Sequence, residues 1–285
     1  MIPLGINTMV WTGSFSAKKL ALLDTIRAAG FEVAELAVFD FPALDCRAVR
    51  SALERNGLAC TATSALPEDL SLLDSDPGVR GRTVEWLCRA VEAVAEVGAS
   101  VLAGPFYAPV GYLSGRRRTE YEWHRAVEGL RHVGEAIAST GVRLAIEPLN
   151  RFETYFLNTA EDALRLYGEI GHPSIGVLFD TFHANVEEKD IPAALRSLGP
   201  ALYHVHLSEN DRGTPGTGHV PFRAVFEALS DMNYTGAAVV ESFATTIPEI
   251  ARAAAIWRDL YPSSDRFATE SMAFLRGLRA LPQAE

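Results

Sequence analysis

Cysteine is scarce in this chain: its 285 residues hold three, Cys46, Cys60 and Cys88, odd in number and widely spaced. That set builds neither a disulfide framework nor a zinc clip, and a reducing cytoplasm suits it. No uninterrupted apolar run approaches membrane-spanning length, and the opening MIPLGINTMVW lacks the basic stretch and long apolar core of an export signal. Basic charge is also short. Lys plus Arg number 26 against 36 Asp plus Glu, a net charge of −10, and the pI is near 5.3. Nucleic acid and anionic lipid reward a basic face, so neither is expected as a partner. Low-complexity linkers are missing too. One domain over residues 1–285 is expected, since a single α/β barrel uses about 250 residues.

What is present is alternation. Short β-branched runs at Pro3–Met9, Val33–Phe39, Leu58–Ser64, Ser100–Phe106, Val142–Leu149, Ile175–Phe182, Leu202–Ser208 and Ala237–Phe243 read as strands. Amphipathic stretches between them read as helices: Ala17–Ala29, Cys46–Arg55, Thr83–Val97, Tyr121–Ser139, Ala160–Ile170, Ile191–Leu198 and Phe222–Asp231. Gly30, Gly57, Gly98, Gly141, Gly171 and Gly199 stand at plausible helix C-caps. Eight βα repeats with right-handed crossovers favour closure into a (β/α)8, or TIM, barrel over an open doubly wound sheet. The segment 249–285 is expected to be a C-terminal helical extension, with helices around Ala251–Leu260 and Thr269–Leu278 broken at Pro262. Ala253, Ile256, Trp257, Leu260, Met272 and Leu275 give it an apolar side suited to a dimer or tetramer contact.

Four strand ends carry chemistry: Glu147 in RLAIEPLN, Asp180 in IGVLFDTFH, His206 in LYHVHLSEN and Glu241 in AAVVESF. Active sites of such barrels lie at the C-terminal ends of the strands. One carboxylate there can be a helix cap and one histidine a satisfied core residue, but all four on successive strands point to a catalytic divalent metal. The oxygen-rich set favours Mn²⁺ or Mg²⁺, with Co²⁺ and other ions as substitutes. His204, two residues before His206, faces the same way if the strand is regular. His183 and Arg212 fall near the mouth.

EPLNRFE, FDTFH, VHLSENDRGTPGTGH and VVESF together resemble the ketose 3-epimerases, the D-tagatose and D-psicose (D-allulose) 3-epimerase group of the xylose isomerase-like barrels. The resemblance covers most of the chain and is strongest from Val142 to Phe243. It implies that Glu147, Asp180, His206 and Glu241 bind one divalent ion, commonly Mn²⁺. Glu147 and Glu241 would exchange the proton, and Glu153, His183 and Arg212 would hold substrate oxygens near the carbonyl. Epimerisation at C3 of a ketose such as D-fructose, D-tagatose or L-ribulose needs a base on one face and an acid on the other, with an enediolate between them.

The N-terminal half is expected to wall the pocket with Asn7, Trp11, Glu35, Phe39, Ser64, Phe106 and Tyr107. The loop GPFYAPVGYLSG lacks a Trp that some members carry there, which bears on the preferred sugar. Hydroxypyruvate and inosose-type isomerases share the metal pattern and stay open as alternatives. An endonuclease of the superfamily would want a histidine-rich cluster and a basic groove, and a non-catalytic sugar binder would not need two opposed carboxylates. The Gly-rich loop from Arg212 to His219 could suit a phosphate. Arg212 is already engaged in the family reading, however, and the run Arg116–Arg118 reads as solvated surface, so a free ketose is expected.

Overall fold

The computed structural model describes residues 1–279. Strands β1 (Leu4–Asn7), β2 (Val33–Ala37), β3 (Ala59–Thr63), β4 (Val101–Gly104), β5 (Arg143–Ile146), β6 (Ile175–Asp180), β7 (Leu202–Leu207) and β8 (Ala238–Val240) pair in chain order, and β8 closes onto β1. Every pair is parallel. The helices are α1 (Ala21–Ala29), α2 (Cys46–Asn56), α3 (Pro77–Val97), α4 (Glu120–Ile137), α5 (Ala160–Ile170), α6 (Thr181–Glu187), α7 (Ile191–Leu198), α8 (Phe222–Asp231), α9 (Pro248–Ala253) and α10 (Ser264–Arg279). None of the described helices is long and apolar enough to cross a membrane.

Strand alternation separates two environments. Leu102, Leu144 and Val177 join the main core beneath the helices, while their neighbours Val101, Ala103, Ala145 and Leu178 form a separate cluster inside the barrel. Glycine lets bulky neighbours close in: a Cβ on Gly176 would collide with the ring of Tyr203. The β6–β7 register slips between Val177 and Leu178, after which Leu178 opposes His204 and Asp180 opposes His206.

Several boundaries differ from the sequence expectation for local reasons. Helix α3 starts six residues earlier, because Asp76 accepts from Gly78 N–H and Pro77 takes the first turn, where it needs no donor. Helix α4 carries a capping box between Thr119 and Glu122 and ends on Ala138, so Gly141 is not its cap. Helix α6 was not anticipated. Asp180 ends β6 and its side chain accepts from Phe182 N–H, starting a helix with no intervening loop.

The expected helix over Ala251–Leu260 is replaced by the shorter α9. Ala255 is left-handed at φ 52°, and Ile256 N–H bonds back to Ala251 C=O at 2.9 Å, a Schellman-type stop that folds Ile256 into the core. Helix α10 packs on α1 and α8. Ile256, Met272 and Leu275 are therefore buried within this chain, and of the larger side chains proposed for association Trp257 is left well exposed. Residues 280–285 of the expected 249–285 extension lie outside the described residues.

Candidate active site

Glu147 follows β5, Asp180 ends β6, His206 lies near the end of β7 and Glu241 follows β8. All four are buried, and one ligand atom from each lies within 4.8 Å of the others. Above them opens a cavity of about 520 Å³ lined by Glu147, Glu153, His183, Arg212 and Glu241 on its polar side. Phe39, Val110, Phe182, Phe243 and Ile250 are among its apolar lining.

Arg212, at φ 65°, spans the carboxylates. Its Nη1 donates to Asp180 Oδ2 at 2.7 Å, Glu241 Oε2 at 2.7 Å and Ser208 Oγ at 2.6 Å. Its guanidinium carbon lies 4.1 Å from the Phe182 ring centre and 5.0 Å from that of Phe243. Burial works to raise the pKa of Asp180, yet Arg212, His183 and His206 outweigh it and hold the carboxyl well below its usual range. Glu147 goes the other way. Burial, reinforced by the charge of Glu241, lifts it well above the usual carboxylate value.

His183 Nδ1 accepts from Asn150 N–H at 3.1 Å, and its Nε2 lies 3.2 Å from Arg212 Nη2 and 3.5 Å from Glu147 Oε1. Burial pushes its pKa down to about 4, so the ring is neutral at physiological pH. Glu153 accepts from Asn150 Nδ2 at 2.8 Å, and Asn150 thus braces both residues from below.

The donor set fits a hard divalent cation. Three carboxylates crowd a small buried volume, and the Nδ1 of His206 has no hydrogen-bond partner. That nitrogen lies 3.3 Å from Glu241 Oε1 and 3.9 Å from Asp180 Oδ2, as ring nitrogen and oxygens are placed when they share an ion.

The expected pocket wall is divided. Ser64 and Phe39 do line the cavity, and Ser64 Oγ is buried without a partner. Its approach depends on Gly104, where a Cβ would strike the Ser64 carbonyl. Asn7 and Glu35 do not line the cavity. They lie among the inward side chains, with Asn7 Nδ2 donating to Glu35 Oε1 at 2.9 Å and standing 3.5 Å from Glu241 Oε1. Phe106 is fully buried in the main core. Tyr107 is 1% exposed and packs on Phe156, ring centres 5.1 Å apart, away from the cavity lining. Trp11 is carried off by the 3-10 turn Thr8–Val10, and its indole N–H donates to Asp265 of α10 at 2.7 Å.

The Gly-rich loop is not an open anion cradle. The fully buried Glu209 already accepts the N–H groups of Asn210, Gly216 and Val220 at 3.0, 2.9 and 3.0 Å. Nor is the arginine run simply solvated. Arg116 pairs with Glu122 at 2.8 Å and Arg118 with Asp162 at 2.6 Å. The sequence reading missed Ser208, Asn150 and Glu209 as site residues, although each stands in a motif that carried the resemblance, Asn150 in EPLNRFE and Ser208 and Glu209 in VHLSENDRGTPGTGH.

The closed parallel barrel is that of the xylose isomerase-like TIM barrels, whose family model matches residues 23–271. The chain belongs to that family. Within it, the chain is one of the ketose 3-epimerases, which are isomerases acting on carbohydrates. It is 34% identical over 275 residues to the probable ketose 3-epimerase of Synechocystis sp., covering 96% of both chains. It is 33% identical over 277 residues to the ketose 3-epimerase of Arthrobacter globiformis, covering 96% of this chain and 95% of that one. The solved D-allulose 3-epimerase from Methylomonas sp., in complex with D-allulose, matches with a TM-score of 0.91 at 27% identity, over 97% of this chain and 96% of that one.

Proposed function

We propose that this chain inverts C3 of a free ketose by moving a proton between Glu147 and Glu241 through an enediolate. The supporting observation is that these two carboxylates open into one cavity from β5 and β8 while sitting in unequal surroundings. Glu241 is held by Arg212, whereas Glu147 is pushed towards its protonated form by burial and by Glu241. A carboxyl with a raised pKa, as at Glu147, suits an acid and base exchange. Glu147, Asp180, His206 and Glu241 would hold a divalent ion, for which we take Mn²⁺, and it would supply Lewis acidity that makes the C3 proton easier to remove. Arg212 and His183 line the cavity where they can hold substrate oxygens, and Glu153 where it can accept from a hydroxyl. Phe182, Phe243 and Phe39 exclude water around the reacting carbons.

A free sugar is favoured because the candidate phosphate cradle is filled by Glu209, and Arg116 and Arg118 are bound to acids. Relatives named L-ribulose 3-epimerase and D-psicose 3-epimerase, at 32% and 31% identity, set the range of sugars to try. Residues 1–285 form one barrel domain in this reading, with 249–285 appended, acting as a homodimer or homotetramer in the cytoplasm. Sedimentation at micromolar concentration tests the assembly, and a monomer overturns it. For the activity, D-fructose, D-allulose, D-tagatose and L-ribulose are compared with their phosphates in deuterated water with Mn²⁺. Epimers labelled at C3 and a higher kcat/KM for the free sugars are expected, and preference for a phosphate overturns the assignment.

A further inference from the structure

Among the described residues, Glu35 is a fully buried carboxylate inside the barrel that the proposed chemistry does not use. It stands on β2 in the apolar run VAELAVF and is fully buried. Both of its oxygens are saturated. Oε1 accepts from Asn7 Nδ2 at 2.9 Å and is 2.7 Å from His206 Nε2. Oε2 accepts from Thr61 Oγ1 at 3.0 Å and is 2.6 Å from His204 Nε2. The two imidazoles, edge to face with centres 5.3 Å apart, thus share one anion reached across the barrel from β7.

A carboxylate can only accept here, so each imidazole turns an N–H towards it. The ring nitrogen of His206 left facing the acid cluster is then Nδ1, 3.3 Å from Glu241 Oε1 and 3.9 Å from Asp180 Oδ2 with no hydrogen bond. A ring nitrogen and carboxylate oxygens gathered in this way are arranged to share a cation. Asn7 cannot rotate to offer its oxygen instead, because Oδ1 already accepts from Met9 N–H at 2.8 Å. The orientation of His206 is therefore fixed from below before any ion arrives.

We infer that Glu35 is a positioning residue of the metal centre, holding the Nε2–H of His206 so that Nδ1 is presented to the ion alongside Glu147, Asp180 and Glu241. The inference rests on the metal reading above and goes beyond it by adding a carboxylate that touches neither ion nor substrate. A carboxylate behind a ligating histidine raises its basicity and fixes its ring, and losing such a partner typically weakens metal affinity about 10–100-fold.

Mn²⁺ binding to the metal-stripped full chain is measured by calorimetry for the wild type, Glu35→Gln and Thr61→Val. Thr61→Val removes a donor to the same carboxylate without touching His206. Glu35→Gln is expected to raise the Mn²⁺ Kd about 10–100-fold with its circular dichroism and metal-free Tm close to the wild type's. Thr61→Val is expected to stay within about threefold, since the His206 contact is intact. A Glu35→Gln Kd within that same margin, or equal effects of the two variants, overturns the inference. If Glu35→Gln does not fold, the wild type decides: ¹⁵N NMR of the Zn²⁺-loaded protein should find His206 protonated at Nε2 and bare at Nδ1, and the reverse pattern overturns the proposal. A wild type that binds no Mn²⁺ overturns the metal reading instead, so the two failures are distinguishable.

Discussion

Arg212 Nη1 donates to Oε2 of Glu241 at 2.7 Å, with both side chains buried. Glu147 is met instead by the imidazole of His183, Nε2 to Oε1 at 3.5 Å. A fixed positive charge thus rests on one member of the proposed proton-exchanging pair and a neutral ring on the other.

Arg212→Lys keeps the charge but not the geometry, because an ammonium cannot lie flat between Phe182 and Phe243 while reaching Asp180, Ser208 and Glu241. The expected loss in kcat/KM is about 10²–10³-fold, typical of removing a placed donor from a buried reacting centre. Metal content is measured alongside. Unchanged kinetics would remove Arg212 from the substrate site.

Glu147→Gln should abolish epimerisation and yet stabilise the metal-stripped protein. Burial and Glu241 raise the folded pKa of Glu147 above its usual 4.5. Its ionisation therefore costs stability progressively as pH rises above that value, and the neutral amide escapes the cost. The variant's metal-free Tm is expected to exceed the wild type's near neutral pH, with the two converging towards about pH 4.5. A rise of a few degrees suffices, since 1 kcal/mol moves Tm by about 2–4 °C in a chain of this size.

Chelation should stop the reaction, and Mn²⁺ or Co²⁺ should restore it. Because ion binding relieves the repulsion among Glu147, Asp180 and Glu241, the ion should also raise Tm. Free metal at a hundred times its Kd adds about 2.7 kcal/mol by mass action. Full activity after exhaustive stripping would contradict the metal site.

Glu122 anchors the loop that roofs the cavity beside Val110. It accepts from Arg116 at 2.8 and 2.9 Å, from Tyr155 at 2.7 Å and from Thr119 N–H at 2.7 Å. Arg116 is the main cause, opposed by burial, that brings its pKa down from 4.5 to about 2. The stabilisation is present in full above pH 4.5 and is lost as pH falls towards 2. Glu122→Gln should cost about 2 kcal/mol at neutral pH and flatten the acid limb of a Tm-against-pH curve. An unaltered acid limb would show that these bonds add nothing.

Much of this was legible in the sequence because it is local. Strand and helix periodicities placed the repeats, and α5, α7 and α8 begin and end where the apolar pattern does. Asp180, His206 and Glu241 could be assigned to strand ends by counting along single strands, and Glu147 in the same way. The failures are also local in part. The shortness of α9 depends on Ile256 finding the core, and α6 hides behind a residue that serves as both strand end and helix cap.

The sequence by itself determined an alternating barrel and the residue types at its C-terminal mouth, since both follow from periods of 2 and 3.6 and from which side chains carry charge. The tertiary structure alone decided depth. Glu35 and Asn7 lie on the strands that build the barrel, yet Glu35 meets His206 and Asn7 meets Glu35 away from the cavity lining. Glu209 fills a loop that reads as a phosphate cradle, and Trp11 reaches Asp265 across 254 residues. Each of these outcomes rests on the register and tilt between segments far apart in the chain, which no window of sequence contains.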